Sequence, residues 1–301
     1  MIWRSSSIFA TLRGVQNIDQ GEYYSKLPLP SEREPKATLP NPNDPPWGVG
    51  AAIGIWIASV IFILVIPVFF VLPYLAMQTP PLSESEQIVE FTKNNPTAVL
   101  LQILAVLPAH LLTLLLAWMV VTKRRQYSFR DTLGWQTGGF AWWYYIVILA
   151  GFLTLAGIVN AIVPEQDNDL LRMLQSSRTV VYVVAFVATF TAPIVEELVY
   201  RGVLYSAFQR VFGVRTAFIF VTLLFALVHV PQYYPSYSTI FLLGILSLTL
   251  TAIRVRTKNL LPCIILHTIF NGFQAVVLIL EPYLKTPEIQ EQAAVIFRFL
   301  N

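Results

Sequence analysis

Cysteine occurs once in 301 residues, at Cys263. A lone thiol can close no internal disulfide and can build no thiolate metal cluster. Charge is nearly as scarce: 20 Lys and Arg, 17 Asp and Glu, and three histidines. With a formal net charge of +3 and no clustering into a groove, nothing in the chain is suited to hold nucleic acid. Period-two alternation is missing from the apolar stretches, which excludes the strands of a membrane barrel. A G-x-S-x-G nucleophile elbow, a Cys-His signature and the H-E-x-x-H zinc motif are all absent.

Apolar residues fill the chain instead, at 55% of the sequence. That share is far above a soluble domain's. A hydrocarbon core about 30 Å thick needs about 20 mostly apolar residues per helix. Seven stretches qualify: 49–77, 98–121, 140–163, 179 to about 212, 215–230, 238–253 and 260–280. Because a backbone in lipid must satisfy its own hydrogen bonds, each predicts a helix. The expected class is therefore all-α, a polytopic helical membrane protein of about seven spans, with room for an eighth element at 288–300. Its place is a membrane, the cytoplasmic membrane if the cell is bacterial, with the lipid bilayer as its first partner.

Lys and Arg set the orientation. The first 48 residues hold five, the 122–138 loop four, the 201–215 region three and the 254–258 turn three, which is fifteen of the twenty. The alternate segments hold the other five. The positive-inside rule then places the N-terminus in the cytoplasm and, with seven spans, the C-terminus outside. Trp142, Trp143, Tyr144 and Tyr145, beside the basic loop, form an expected interfacial belt. Seven prolines between positions 28 and 46 mark residues 1–48 as an extended or disordered cytoplasmic tail. The first apolar run starts too late and runs too long for a signal peptide, so the N-terminus is expected to be retained. Residues 49–96 form the first span and an external loop, and 281–301 a short tail. No internal repeat is evident.

Against this background a few polar residues inside apolar helices stand out, since ionisable groups at membrane depth are costly and tend to be functional. They are Glu196, Glu197 and Arg201 in VEELVYRG, His229 in FALVH, and His267 with Asn271 in HTIFN. Glu197 and Arg201 are i,i+4 neighbours and can pair, whereas Glu196 is turned about 100° away and stays free. His267 and Asn271, also i,i+4, face one space. If the chain reverses at Gly213, Glu196 and His229 lie about 24 Å from the bend and at the same level. His267 lies only about 14 Å from its own turn at Lys258, so the levels agree only if helices tilt or the first bend projects beyond the others. Pro193 cannot donate to the carbonyl of Thr189 and should disturb the helix just before Glu196. Cys263 and Phe225 read as packing, His110 as a hydrogen-bonded core or cavity histidine, and Gly202 as a site of close helix approach.

The order E-E-x-x-x-R-G, F-x-x-x-H and H-x-x-x-N on successive membrane helices resembles the CPBP family of intramembrane endopeptidases. That family includes the CAAX prenyl endopeptidases and the bacterial abortive-infection and bacteriocin-immunity proteins. The resemblance covers roughly residues 97–280, the expected protease core. It implies that Glu196 and His229 activate a water, that His267 and Asn271 stabilise the oxyanion, and that Glu197 with Arg201 support the site. It implies no metal and no cofactor, and a membrane-associated peptide or protein substrate, lipidated or not. Two rivals are a zinc-dependent form, with Glu196, His229 and His267 as ligands, and a non-catalytic scaffold, immunity factor or transporter with a polar midplane site.

Overall fold

The structure is a computed structural model that describes residues 39–284 apart from 83 and 165. The expected extra element at 288–300 lies outside the described residues. Among the described residues there is no strand, only an isolated bridge between Asn41 and Asp44.

The chain enters its first helix, α1 (Val49–Ala76), and then turns through α2 (Ser85–Asn94) into α3 (Pro96–Leu104) and α4 (Val106–Val121). Asn95 starts α3: its side-chain oxygen accepts from the N–H groups of Thr97 and Ala98, and Pro96 occupies a first-turn position where its missing donor is no loss. A short α5 (Phe129–Leu133), begun by Ser128, ends at Gly134 in the left-handed region with φ +72°. An added Cβ there would lie 2.7 Å from Asn259 Oδ1, so only glycine fits. Its carbonyl accepts from Leu260 N–H at 2.9 Å, joining this loop to a later turn. Helix α6 (Trp142–Ile162) follows, then α7 (Asp169–Ser176) and α8 (Arg178–Phe186), each of the last two opened by a side-chain cap, Asn168 and Ser177. Next come a π segment, π1 (Val187–Thr191), then α9 (Ala192–Glu197), a second π segment, π2 (Leu198–Leu204), α10 (Tyr205–Tyr233), α11 (Tyr237–Thr257) and α12 (Leu261–Leu284).

Six helical stretches are long and apolar enough to cross a membrane, and the fourth, Arg178–Tyr233, runs 56 residues. It contains two of the seven expected spans. Gly213, with φ 81° and ψ 164°, breaks it. The chain reverses there, because Phe208 and Phe220, twelve positions apart, stack with ring centroids 4.3 Å apart. Tyr200 and Phe225 pair further along the same hairpin, at 5.1 Å. Outward faces carry large apolar side chains with no protein cover, such as Leu64, Phe69, Leu111 and Leu227. Such a surface suits lipid and would be a liability in water. The protein is an integral, multi-pass helical membrane protein.

Gly213 adopts a backbone region that is essentially glycine's alone. Nothing lies within 4 Å of the position a Cβ would take, so the cost of a side chain is conformational. Gly213→Ala should lower stability by about 1–3 kcal/mol, read as a lower melting temperature in detergent.

The 122–138 loop, the 201–215 region and the 254–258 turn meet at one end of the bundle. Residues 40–48, the last part of the expected tail, lie as a strap across it. Arg254, buried, donates to the carbonyls of Arg201 and Pro42 and to Ser206 Oγ. Arg210 donates to the carbonyls of Pro45 and Trp47 and sits 3.6 Å from Asp44. Trp47 in turn donates its indole N–H to Val203 O at 3.1 Å. These contacts account for the difference in level noted above. The turn at Lys258 is level with the start of α10, and the Gly213 bend extends about 10 Å further at ~1.5 Å per residue. Trp142 and Trp143 are exposed near this end, as a lipid-interface belt requires.

Candidate active site

The two glutamates close α9, between the two π segments. In π1 the N–H of Ala192 reaches back five residues to Val187 O, and in π2 the N–H of Tyr205 reaches Tyr200 O. Pro193 falls in the first turn of α9. The disturbance expected from its missing donor takes the form of π1, where the bonding ladder has already shifted by one residue. Wide turns of this kind recur at functional sites.

Glu197 and Arg201 pair as their spacing predicts, with Oε1 and Nη1 2.9 Å apart and both side chains fully buried. Arg201 is held further by Ser247, through its carbonyl at 3.0 Å and hydroxyl at 2.8 Å, and by Thr251 Oγ1 at 3.3 Å. Its guanidinium lies 4.5 Å from the ring centre of Phe225, a cation–π contact in a dry setting. The ion pair therefore joins π2 to α11 and α10 at once.

Glu196 faces the opposite way, into a cavity of about 840 Å³ that His229, His267 and Asn271 also line. Its Oε1 is 4.0 Å from His229 Nε2 and its Oε2 is 3.8 Å from His267 Nε2. Four of the six residues singled out in the sequence are thus brought to one cavity, and Glu197 and Arg201 lie buried behind it. Hydrogen bonds behind them fix which ring nitrogens point forward. His229 Nδ1 lies 2.7 Å from Phe225 O, and a carbonyl only accepts, so Nδ1 carries the proton and Nε2 faces Glu196. His267 Nδ1 lies 2.8 Å from Glu197 Oε1. That oxygen already accepts from Arg201, so Nδ1 is again the donor. Asn271 spends one amide N–H on Ala188 O at 2.8 Å, which leaves the other free to act in the cavity.

Sequence reasoning gave Glu197 a single partner, yet it holds both Arg201 and His267. The missed supports are Ser247, Thr251 and the carbonyl of Ala188. Ser247 and Thr251 did leave a signal, two hydroxyls one turn apart in an apolar helix. The carbonyl leaves none. His110, buried, donates from Nδ1 to Thr191 Oγ1 at 2.9 Å and lines the same cavity, in agreement with its sequence reading. Cys263 is buried against Leu250 O, also as read. Among the described residues no three His, Cys, Asp or Glu side chains are grouped as metal ligands would be.

Comparison with known proteins adds to this geometry. No solved structure matches the chain. The UPF0177 protein YvdC of Lactococcus lactis subsp. lactis (strain IL1403) is 32% identical over 141 residues, which is 46% of this chain and 50% of that protein. The chain thus spans about half the length of this curated relative. Residues 178–273 match the family described as type II CAAX prenyl endopeptidase Rce1-like. That segment is narrower than the resemblance read from the motifs but contains every one of them. The segment that carries Glu196, His229, His267 and Asn271 is thus similar to the type II CAAX prenyl endopeptidase Rce1-like family over about a third of the chain.

Proposed function

We propose that the protein is an intramembrane endopeptidase that hydrolyses a peptide bond of a membrane-associated substrate, CAAX-type or other, with water activated by Glu196 and His229. The observation that carries this reading is the meeting of the Glu196 carboxylate with His229 Nε2 and His267 Nε2 on the wall of one large cavity. At 4.0 Å the Glu196–His229 separation is too long for a hydrogen bond, and it is a span that one water bonded to both groups can bridge. Glu196 takes a proton from that water as its oxygen attacks the carbonyl carbon. The proton passes, with His229 assisting, to the amine as the C–N bond breaks, leaving a carboxylate and an amine.

Charge on the carbonyl oxygen during attack needs donors. The second amide N–H of Asn271 is one. His267, whose Nε2 faces the cavity, is the other when that nitrogen carries a proton. Glu197 then acts as a positioning residue, holding His267 by Nδ1 and Arg201 by its guanidinium.

Cells carrying wild type and Glu196→Ala, compared for membrane proteins and released peptides, test this reading; identical profiles would refute it. The zinc-dependent rival uses the same histidines as ligands, and a chelator separates the two. Purified protein should keep its cleavage activity through prolonged treatment with strong chelators. Activity lost to chelation and restored by zinc would move His229 and His267 to a ligand role.

A further inference from the structure

We propose that Pro193 is a positioning residue for the reaction: by withholding a backbone donor it leaves the carbonyl of Ala188 open, and that carbonyl fixes the side chain of Asn271 in the cavity. The catalytic part of this rests on the proteolytic reading above; the link between Pro193 and Asn271 does not.

In an unbroken α-helix the carbonyl of Ala188 is taken by the N–H of residue 192, and that of Thr189 by the N–H of residue 193. Neither bond forms here. Pro193 has no N–H, and a proline ring clashes with the carbonyl four residues back, which is that of Thr189. The N–H of Ala192 reaches one residue further, to Val187 O, in the π1 ladder. If that ladder continued in π register, the next donor would be the N–H of residue 193, and its acceptor would be Ala188 O. Pro193 cannot supply it. Ala188 O is therefore passed over in both registers.

Thr191 does not fill the gap, since its hydroxyl donates to Val187 O at 3.1 Å and accepts from His110 Nδ1. Asn271 does, with one amide N–H at 2.8 Å. Gly272 allows the close approach that this needs: a Cβ there would lie 3.3 Å from Thr189 Cγ2, so α12 runs tight against π1. A carbonyl without a donor is costly at membrane depth. One bond thus satisfies the carbonyl and sets the plane of the amide, whose second N–H is left for the oxygen of the reacting carbonyl. Ala188 and Asn271 both line the cavity that holds Glu196.

The effect belongs to the missing N–H, and Pro193→Ala restores it. Either ladder then closes on Ala188 O, in π register from residue 193 or in α register from residue 192. Asn271 loses its acceptor in both cases. Alanine is a better helix former than proline, so the variant is expected to fold.

Two readouts test this. The first is the side-chain amide signal of Asn271 in NMR of the full chain, purified in detergent and nitrogen-labelled on asparagine, with the signal identified by its loss in Asn271→Ala. Pro193→Ala should shift it. Lactic acid at position 193, which carries alanine's side chain on an ester and has no N–H, should return it toward the wild-type position. A signal unmoved by Pro193→Ala overturns the proposal, and so does one that the ester leaves displaced, since loss of the ring would then be the cause. The second readout is the release, in cells, of the peptides that depend on Glu196. Pro193→Ala should lower release per folded molecule by about tenfold or more, within the 10²–10³ that one lost oxyanion donor costs, and the ester should restore it. Added to Asn271→Ala, Pro193→Ala should cost less than about twofold further, because its effect runs through that side chain. Losses that multiply in the double variant would place the action of Pro193 on the aim of Glu196 instead, and the assigned role falls. A shifted signal with unchanged release refutes the catalytic part. If no release depends on Glu196, the proteolytic reading fails and the catalytic part with it, while the spectrum still decides whether Pro193 sets Asn271.

Discussion

Glu196→Gln should leave the protein folded and in the membrane and reduce peptide cleavage by about 10²–10⁴-fold, the usual contribution of a positioned base. The amide keeps the shape of the side chain but cannot take a proton from water. Folding should be little affected, because among the described residues no hydrogen bond within 3.5 Å ties Glu196 to the scaffold; its nearest charged partners are the two histidines at 3.8 and 4.0 Å. Its side chain is 24% exposed to the cavity, and a change at such a position normally alters stability by no more than about 0.5 kcal/mol. Turnover should be expressed per folded molecule, with thermal stability measured in detergent beside it. Near wild-type turnover would remove the general base from the proposed mechanism.

Glu197→Gln should fail in the other manner, by loss of folded protein. Arg201 is fully buried and Glu197 is its counter-charge. Breaking a buried pair by removing one charge costs about 3–5 kcal/mol. Ser247 and Thr251 still bond the guanidinium but carry no charge to offset it. Expression and melting temperature should drop, and activity should fall at least in proportion to folded protein. Adding Arg201→Met should recover part of the stability. That double change strands neither hydroxyl, since Ser247 donates to Thr222 O and Thr251 donates to Ser247 O. His267 Nδ1 would still find an amide oxygen at position 197, now a neutral acceptor in place of the carboxylate that positions it. Recovered stability with activity still depressed is the expected signature. If the double variant melts no higher than Glu197→Gln, the pair is not what holds the region together.

Much of this was legible from residue types and spacings. The seven apolar segments become helices, two of them joined across Gly213 in the 56-residue stretch, because length in lipid leaves the backbone no alternative to the helix. The meeting of Glu196 and His229 follows from counting equal numbers of residues on either side of Gly213, and the i,i+4 pairing of Glu197 with Arg201 follows from helical pitch. The rest depends on tertiary detail that carries no local pattern. A π segment has no composition of its own, so nothing between 187 and 204 announced two of them. The proline-rich approach to α1 looked like an unattached tail, because carbonyls of residues such as Pro42 and Pro45 give no sign that Arg254 and Arg210 will seek them. Arg254 counted only as a topological charge, although it is buried among acceptors.

The π segments on either side of the glutamates also set the rotational phase of this helix. A π turn takes up about one more residue than an α turn, so each segment shifts the angular position of everything beyond it. The direction in which Glu196 points, relative to Ser206 and the bend that follows, is thereby fixed by residue count as much as by contacts. Insertions and deletions, which change that count while leaving every motif residue in place, are the alterations to which residues 187–204 are most vulnerable.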